Sequence, residues 1–143
     1  MKYQSIEYKL VRESNPDYRK KTMSGAEDVF NFFSDLQDAT KEKLFSVCLT
    51  QQNEIVCVDL VSVGSNDHSV ADPKEIIKAA ILSNASSLIM VHNHPSGSIK
   101  PSDADTVTTN IMKEACKMFG ITLLDHIIIG NDKYFSYANH GLI

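Results

Sequence analysis

The stretch His92-Asn93-His94-Pro95-Ser96-Gly97, followed closely by Pro101-Ser102-Asp103-Ala104-Asp105, gathers two imidazoles, a hydroxyl and a carboxylate within fourteen residues. Two neutral imidazoles and one carboxylate are the protein ligands of a catalytic zinc that keeps its fourth position for water; a structural zinc closes all four positions with side chains. Zinc lowers the pKa of bound water towards about 7 and polarises a carbonyl, which suits amide hydrolysis. Such chemistry also asks for a carboxylate base and a donor to the developing oxyanion. Ser102 fits the donor role, because a hydroxyl can accept a capping N–H and still donate its own proton. The expectation is one zinc per chain on His92, His94 and Asp105, with Ser102 beside it.

Those side chains meet only if a strand end and a helix start converge. Side chains two apart on a strand share a face, so an apolar strand over residues 87–91 running into the motif presents His92 and His94 together and turns Asn93 away. Pro95 ends the strand, and residues 95–101 read as a turn-rich loop. Ser102 then N-caps a helix whose first turn carries Asp105, where the positive end of the dipole suits a carboxylate. Val107, Ile111, Ala115 and Met118 make the expected apolar face of that helix, and Gly120 ends it.

The remaining elements alternate in type. Residues 5–11 suggest an edge strand and residues 13–21, with Pro16, a loop. Ser24 and Glu27 have capping-box spacing for a helix over residues 25–37 bearing Val29, Phe30, Phe33 and Leu36. Residues 44–49 and 55–63 read as antiparallel strands joined by the polar turn 50–54. After a loop over residues 64–72, Pro73 opens a helix with Ile76, Ile77, Ala80 and Ile81 on one stripe down to Asn84. Residues 123–129 form a buried strand, Gly130-Asn131-Asp132 a turn, and residues 134–137 a last strand. Strands interleaved with helices imply an α/β domain of two or three layers around a mixed sheet.

A chain of 143 residues, 43% hydrophobic, can bury one core and is short for two ordinary domains. One domain over residues 1–143 is expected, with residues 1–40 supplying an N-terminal strand and helix. The net charge of -4 argues against a surface built to neutralise phosphates, and Arg19-Lys20-Lys21 reads as a solvated loop. Cys48, Cys57 and Cys116 form no C-x-x-C pair and read as reduced thiols, the first two as small buried hydrophobes. No apolar run reaches the roughly 18 residues needed to cross a bilayer, and the N-terminus lacks a targeting pattern. A cytoplasmic protein without a membrane partner is expected; its oligomeric state is not legible.

The arrangement His-x-His, seven residues, Ser, two residues, Asp resembles the zinc motif of the JAB/MPN metallopeptidase superfamily, also called JAMM. His92-Asn93-His94-Pro95-Ser96-Gly97, then Ser102 and Asp105, then Leu124-Asp125-His126-Ile127-Ile128-Ile129-Gly130, is similar to its RadC-like branch over residues 41–143. The resemblance implies the JAB/MPN α/β fold with cytidine-deaminase-like layering, zinc on His92, His94 and Asp105, and Ser102 beside the activated water. It also implies a glutamate general base just before the strand that leads to the hairpin, the place held by Glu42. The plain alternative for Glu42 is an exposed helix-end glutamate, while Glu27 and Glu54 fit a capping box and a turn. Ser98 stands where relatives usually have an acidic residue and Asp72 where they often have histidine; neither position ligates zinc, so these departures bear on substrate contacts.

The resemblance implies hydrolysis of a peptide or isopeptide bond in a protein substrate. The family is traditionally labelled as DNA repair, and its full-length members carry a helix-hairpin-helix segment that is not expected here; the acidic charge adds no argument for DNA. The alternative reading is a DNA-repair-associated or non-catalytic interaction module that retains zinc. A nuclease is not implied, since that His-Asn-His motif spreads its residues over a hairpin and helix, and a zinc deaminase would need a Pro-Cys-x-x-Cys pair. His68 reads as a solvated loop residue, and His126 as a hydrogen-bonded core histidine able to orient a ligand. His140 carries no inference.

Overall fold

The computed structural model describes residues 4–11, 21–64 and 71–143. His68, Arg19, Lys20 and nearly all of the loop expected over residues 13–21 lie outside them. Five strands form one sheet in the order β2-β1-β3-β4-β5: β1 Lys43–Leu49, β2 Ile55–Val63, β3 Ser87–Asn93, β4 Thr122–Gly130 and β5 Lys133–Ser136. Only β3 and β4 run parallel; the other neighbouring pairs are antiparallel. The chain chemistry dictates this mixture. A tight turn with Asn53 at φ 61° joins β1 to β2, and another with Asp132 at φ 53° joins β4 to β5, while a helix separates β3 from β4.

Helices cover both faces, giving three layers. Helix α1, Ala26–Phe32, and the 3-10 turn Ser34–Asp38 pack Val29, Phe33 and Leu36 on Val47, Leu49, Ile89, Val91, Ile127 and Ile129. Helices α2, Pro73–Leu82, and α3, Asp103–Met118, close the other face over Leu44, Cys48, Leu88 and Met90. The alternation within β3 divides it between the two cores: Ile89 and Val91 face α1, and Leu88 and Met90 face α2 and α3. His92 continues the second set.

Several expectations need correction. Residues 4–11 form no strand and are exposed, Ile6 at 78% and Val11 at 81%; Ile6, Tyr8 and Leu10 alternate with Glu7 and Lys9 as a strand face would, but among the described residues the segment pairs with no strand. The pairing next to the hairpin is instead a Thr22–Glu54 bridge. Ser24 and Glu27 form no capping box, because Gly25 is the N-cap of α1 and Asp28, not Glu27, accepts the Ser24 N–H at 2.8 Å. The helix then stops at Phe32 and tightens into the 3-10 turn instead of running to Gln37.

A further correction concerns α3. Val107, Ile111 and Met118, expected in the core, are 53%, 45% and 82% exposed, whereas Thr108, Thr109, Met112 and Cys116 are buried. At 3.6 residues per turn, positions 105, 109, 112 and 116 share one face and 107, 111 and 118 the opposite one. Pointing Asp105 at the strand end therefore rotates the apolar stripe outward.

Candidate metal centre

Strand β3 delivers both histidines. His92 is 2% exposed near its end, and His94, one residue past Asn93, keeps to the sheet through its N–H to Ile129 O at 3.0 Å. Helix α3 delivers Asp105 by a reciprocal cap: Ser102 Oγ accepts the Asp105 N–H at 3.0 Å, and Asp105 Oδ2 accepts the Ser102 N–H at 2.8 Å. A cap of this kind is worth about 1 kcal/mol to the helix, and here it also fixes the rotamer of a would-be ligand. The Ser102 hydroxyl proton remains free of the cap bond.

Three donors converge. His92 Nε2 lies 3.0 Å from His94 Nε2 and 3.3 Å from Asp105 Oδ1, and His94 Nε2 lies 3.3 Å from Asp105 Oδ2. Among the described residues, these three side chains form a group able to hold a metal ion. His94 Nδ1 faces the Ser98 carbonyl at 2.9 Å, so its proton sits there and its Nε2 offers a lone pair. A lone pair directed at a carboxylate needs a cation between them. Donors on a tetrahedral ion at about 2.0–2.1 Å stand roughly 3.3 Å apart, so the spacing suits a small ion such as zinc.

The same demand for positive charge shows in the protonation of the cluster. Asp105 raises the His94 pKa above its ordinary value, against the opposing effect of burial. Burial disfavours the charged form of Asp105, but hydrogen bonds from His92 and His94 outweigh it and hold the carboxyl far below the usual range. Burial, followed by the nearby His92, pushes His126 well below an ordinary histidine.

Behind these three side chains lies a buried polar chain. His92 Nδ1 is 2.8 Å from His126 Nε2, His126 Nδ1 is 2.6 Å from Thr109 Oγ1, and the Thr109 hydroxyl donates to the Asp105 carbonyl at 2.7 Å. His126 also stacks on Tyr137, with ring centroids 5.0 Å apart and planes at 8°. Asp125 holds that segment by accepting the Ser136 hydroxyl at 2.5 Å and the Ala138 N–H at 2.9 Å. Sequence reasoning singled out His126 but missed Thr109; its signal was the four-residue step from Asp105 on one helix.

Asn93 explains the middle of the His-Asn-His run. Buried to 1% exposure, it accepts the Lys43 N–H at 2.8 Å and donates to the Lys41 carbonyl at 3.1 Å. It thereby ties the backbone on both sides of Glu42 to the strand end that carries the histidines. Glu42 O also accepts the Gly64 N–H at 2.7 Å. The Glu42 side chain is exposed and close enough for its charge to favour protonated His94.

Two glycines seat the loop. Gly97 has φ +76°, and a Cβ there would lie 2.5 Å from the Asn131 side chain; a Cβ on Gly130 would lie 2.5 Å from Gly97 O. The loop after His94 thus rests directly on the β4–β5 turn. Two signatures distant in sequence are in contact.

A five-stranded mixed sheet between helical layers, with a strand-end His-x-His facing a capped helical aspartate, defines a JAB/MPN-type domain. More narrowly, residues 23–142 match the family model described as the RadC-like JAB domain, and the chain belongs to that family. It is 44% identical over 122 residues to a UPF0758 protein of Chlorobaculum parvum, covering 85% of this chain and 55% of that protein. It is 38% identical over 125 residues to a UPF0758 protein of Methanosarcina barkeri, covering 87% of this chain and 55% of that one. The chain spans about half the length of these curated relatives.

Proposed function

We propose that this chain is a zinc-dependent hydrolase of the JAMM type that cleaves a peptide or isopeptide bond in a protein substrate. The observation that carries the reading is the convergence of His92 Nε2 and His94 Nε2, 3.0 Å apart and each 3.3 Å from one of the two Asp105 carboxylate oxygens, in a largely buried cluster. Three protein ligands leave a fourth position for the reaction. When bound, zinc would acidify a water molecule and polarise the scissile carbonyl.

The chain's own groups carry the remaining work. Glu42, held beside the strand end by the Asn93 clamp, takes a proton from the attacking water and returns it to the leaving amine. Ser102, whose oxygen is already fixed by accepting the Asp105 N–H, donates its own hydrogen to the developing oxyanion. His92, His94 and Asp105 hold the ion throughout.

Elemental analysis after gentle purification should find about one zinc per chain, absent in His92→Ala and His94→Ala. Glu42→Gln should retain that metal and lose at least about a hundredfold in turnover on a peptide and isopeptide library, the scale of a general-base contribution. Zinc retained by a wild type that cleaves nothing in the library, alongside strongly salt-dependent duplex DNA binding, would replace this reading with that of a DNA-binding module.

A further inference from the structure

We propose that Thr109 and His126 are positioning residues that fix His92 in its Nδ1–H tautomer, leaving the Nε2 lone pair for the metal; this deepens, and rests on, the metal reading above. The polarity of the chain follows from its far end. The Asp105 carbonyl oxygen has no proton to give, so across 2.7 Å the Thr109 hydroxyl must donate to it. That spends the only proton on Thr109 Oγ1. Across 2.6 Å the same oxygen accepts, and His126 Nδ1 carries the hydrogen.

His126 is 2% exposed and stacked flat on Tyr137, a setting for a neutral ring. A neutral imidazole with its proton on Nδ1 has a lone pair on Nε2. Across 2.8 Å that lone pair takes the hydrogen of His92 Nδ1, and His92 Nε2 is left bare where it faces His94 and Asp105. Reversing the chain would set two oxygen lone pairs against each other at 2.7 Å. It would also place a hydrogen on His92 Nε2, where it blocks ligation.

Asp105 thus enters the centre twice. Its carboxylate faces the ligand nitrogens, and its backbone carbonyl, one helical turn before Thr109, sets the protonation pattern of a histidine on another element. The inward face of α3 therefore carries a threonine at 109 where an apolar residue would pack the sheet more simply.

The test uses the wild-type chain, Thr109→Val, Thr109→Ser, His126→Gln and His126→Leu. Long-range 15N–1H spectra of the metal-free proteins at alkaline pH read the His92 tautomer, and competition with a chromophoric chelator reads zinc affinity. Wild type should show His92 as Nδ1–H. Thr109→Val, which keeps the shape and removes the hydroxyl, should lose that signature and weaken zinc binding by about 10-fold or more, the usual effect of losing such a partner. Thr109→Ser should restore both.

His126→Gln, which keeps an acceptor near the same place, should stay within a few-fold of wild type, and His126→Leu should weaken binding like Thr109→Val. Should Thr109→Val fail to fold, the His126 pair decides by the same two readouts. Wild-type affinity and an unchanged His92 tautomer in Thr109→Val, or equal losses in His126→Gln and His126→Leu, would overturn the proposal. A wild type that binds no zinc would overturn the metal reading itself, while the tautomer spectra would still report separately on the relay.

Discussion

His94 is held at its two nitrogens by partners of different kinds, a carbonyl at Nδ1 and a carboxylate at Nε2. In the metal-free protein this gives a pH dependence with a definite sign. Asp105 lifts the His94 pKa above 6.5, so the folded protein holds that proton more tightly than the unfolded chain. The contribution is full below about pH 6.5 and is lost as pH rises through the raised value. Asp105 is depressed below its ordinary 3.8, so its share is present above about pH 4 and lost only in stronger acid. Urea denaturation with a chelator present should therefore show that His94→Gln loses more stability near pH 5.5 than near pH 8, a comparison that cancels the opposite pull of His126, whose depressed pKa costs stability as pH falls below about 6.5. Zinc affinity should move the opposite way and fall as the pH drops, because a proton on His94 competes for the same lone pair. A second residue-scale prediction concerns the thiols. Cys57 faces Cys48 across the β1–β2 ladder, and the Cys48 hydrogen bond lowers its pKa to about 7, whereas burial lifts Cys116 to about 11. Mass spectrometry of the native protein after brief alkylation near pH 7.5 should find Cys57 labelled first. The sequence read both Cys48 and Cys57 as buried; only Cys48 is, since β2 is the edge strand.

Helix α3 shows why some elements are legible from sequence and others mislead. Its start was readable, because Ser102 and Asp105 have cap spacing and a Pro-containing loop precedes them. Its orientation was not, since hydrophobicity favours 107, 111 and 118 inward while the site requires 105 and 109 inward, and the site prevails. The strands were easier: apolar runs with polar turns between them defined all five, and β1 and β2 paired as expected. The N-terminal segment failed for another reason: Ile6, Tyr8 and Leu10 alternate as a strand would, but whether a sheet edge takes such a segment up is decided by its tertiary surroundings. The α3 assignment makes a clear prediction. Met112→Ala should destabilise by about 2–5 kcal/mol, as a large-to-small change in a packed core does, while the neighbouring Ile111→Gln should stay within about 0.5 kcal/mol. Chemical denaturation of the two variants checks it, and the reverse order would restore the apolar stripe to the core. Contacts between distant elements were the least legible part. Nothing in the sequence states that Gly97 and Gly130 must share a space too small for a side chain, or that Asn93 clamps the Glu42 segment.

On the scale of the whole molecule, the centre ties the end of β3 to the start of α3 and, through His126, to β4. A ligand that binds only the folded state stabilises it by about 2.7 kcal/mol at 100 times its dissociation constant. Zinc should accordingly raise the thermal midpoint of the wild type by several degrees, a chelator should reverse the rise, and His92→Ala should respond to neither; differential scanning calorimetry makes the comparison. A wild type indifferent to zinc would mean that the three side chains do not share an ion. The Asn93 clamp has one more consequence. Leu44 sits opposite His92 on β1, and Met90 sits beside His126 on β4, so the centre depends on two strand registers at once. A slip of one residue in either pairing turns alternate side chains to the wrong face and separates Glu42 or His126 from the ligands. A chain slipped between β3 and β4 would contain every required residue and still hold an ion poorly, while one slipped between β1 and β3 would lose the proposed base and keep the three metal-binding side chains together. If the proposed zinc site is loaded, metal occupancy would therefore be a proofreading signal for β3–β4 pairing: an ion would be held tightly only by molecules in which those two strands have chosen their correct register.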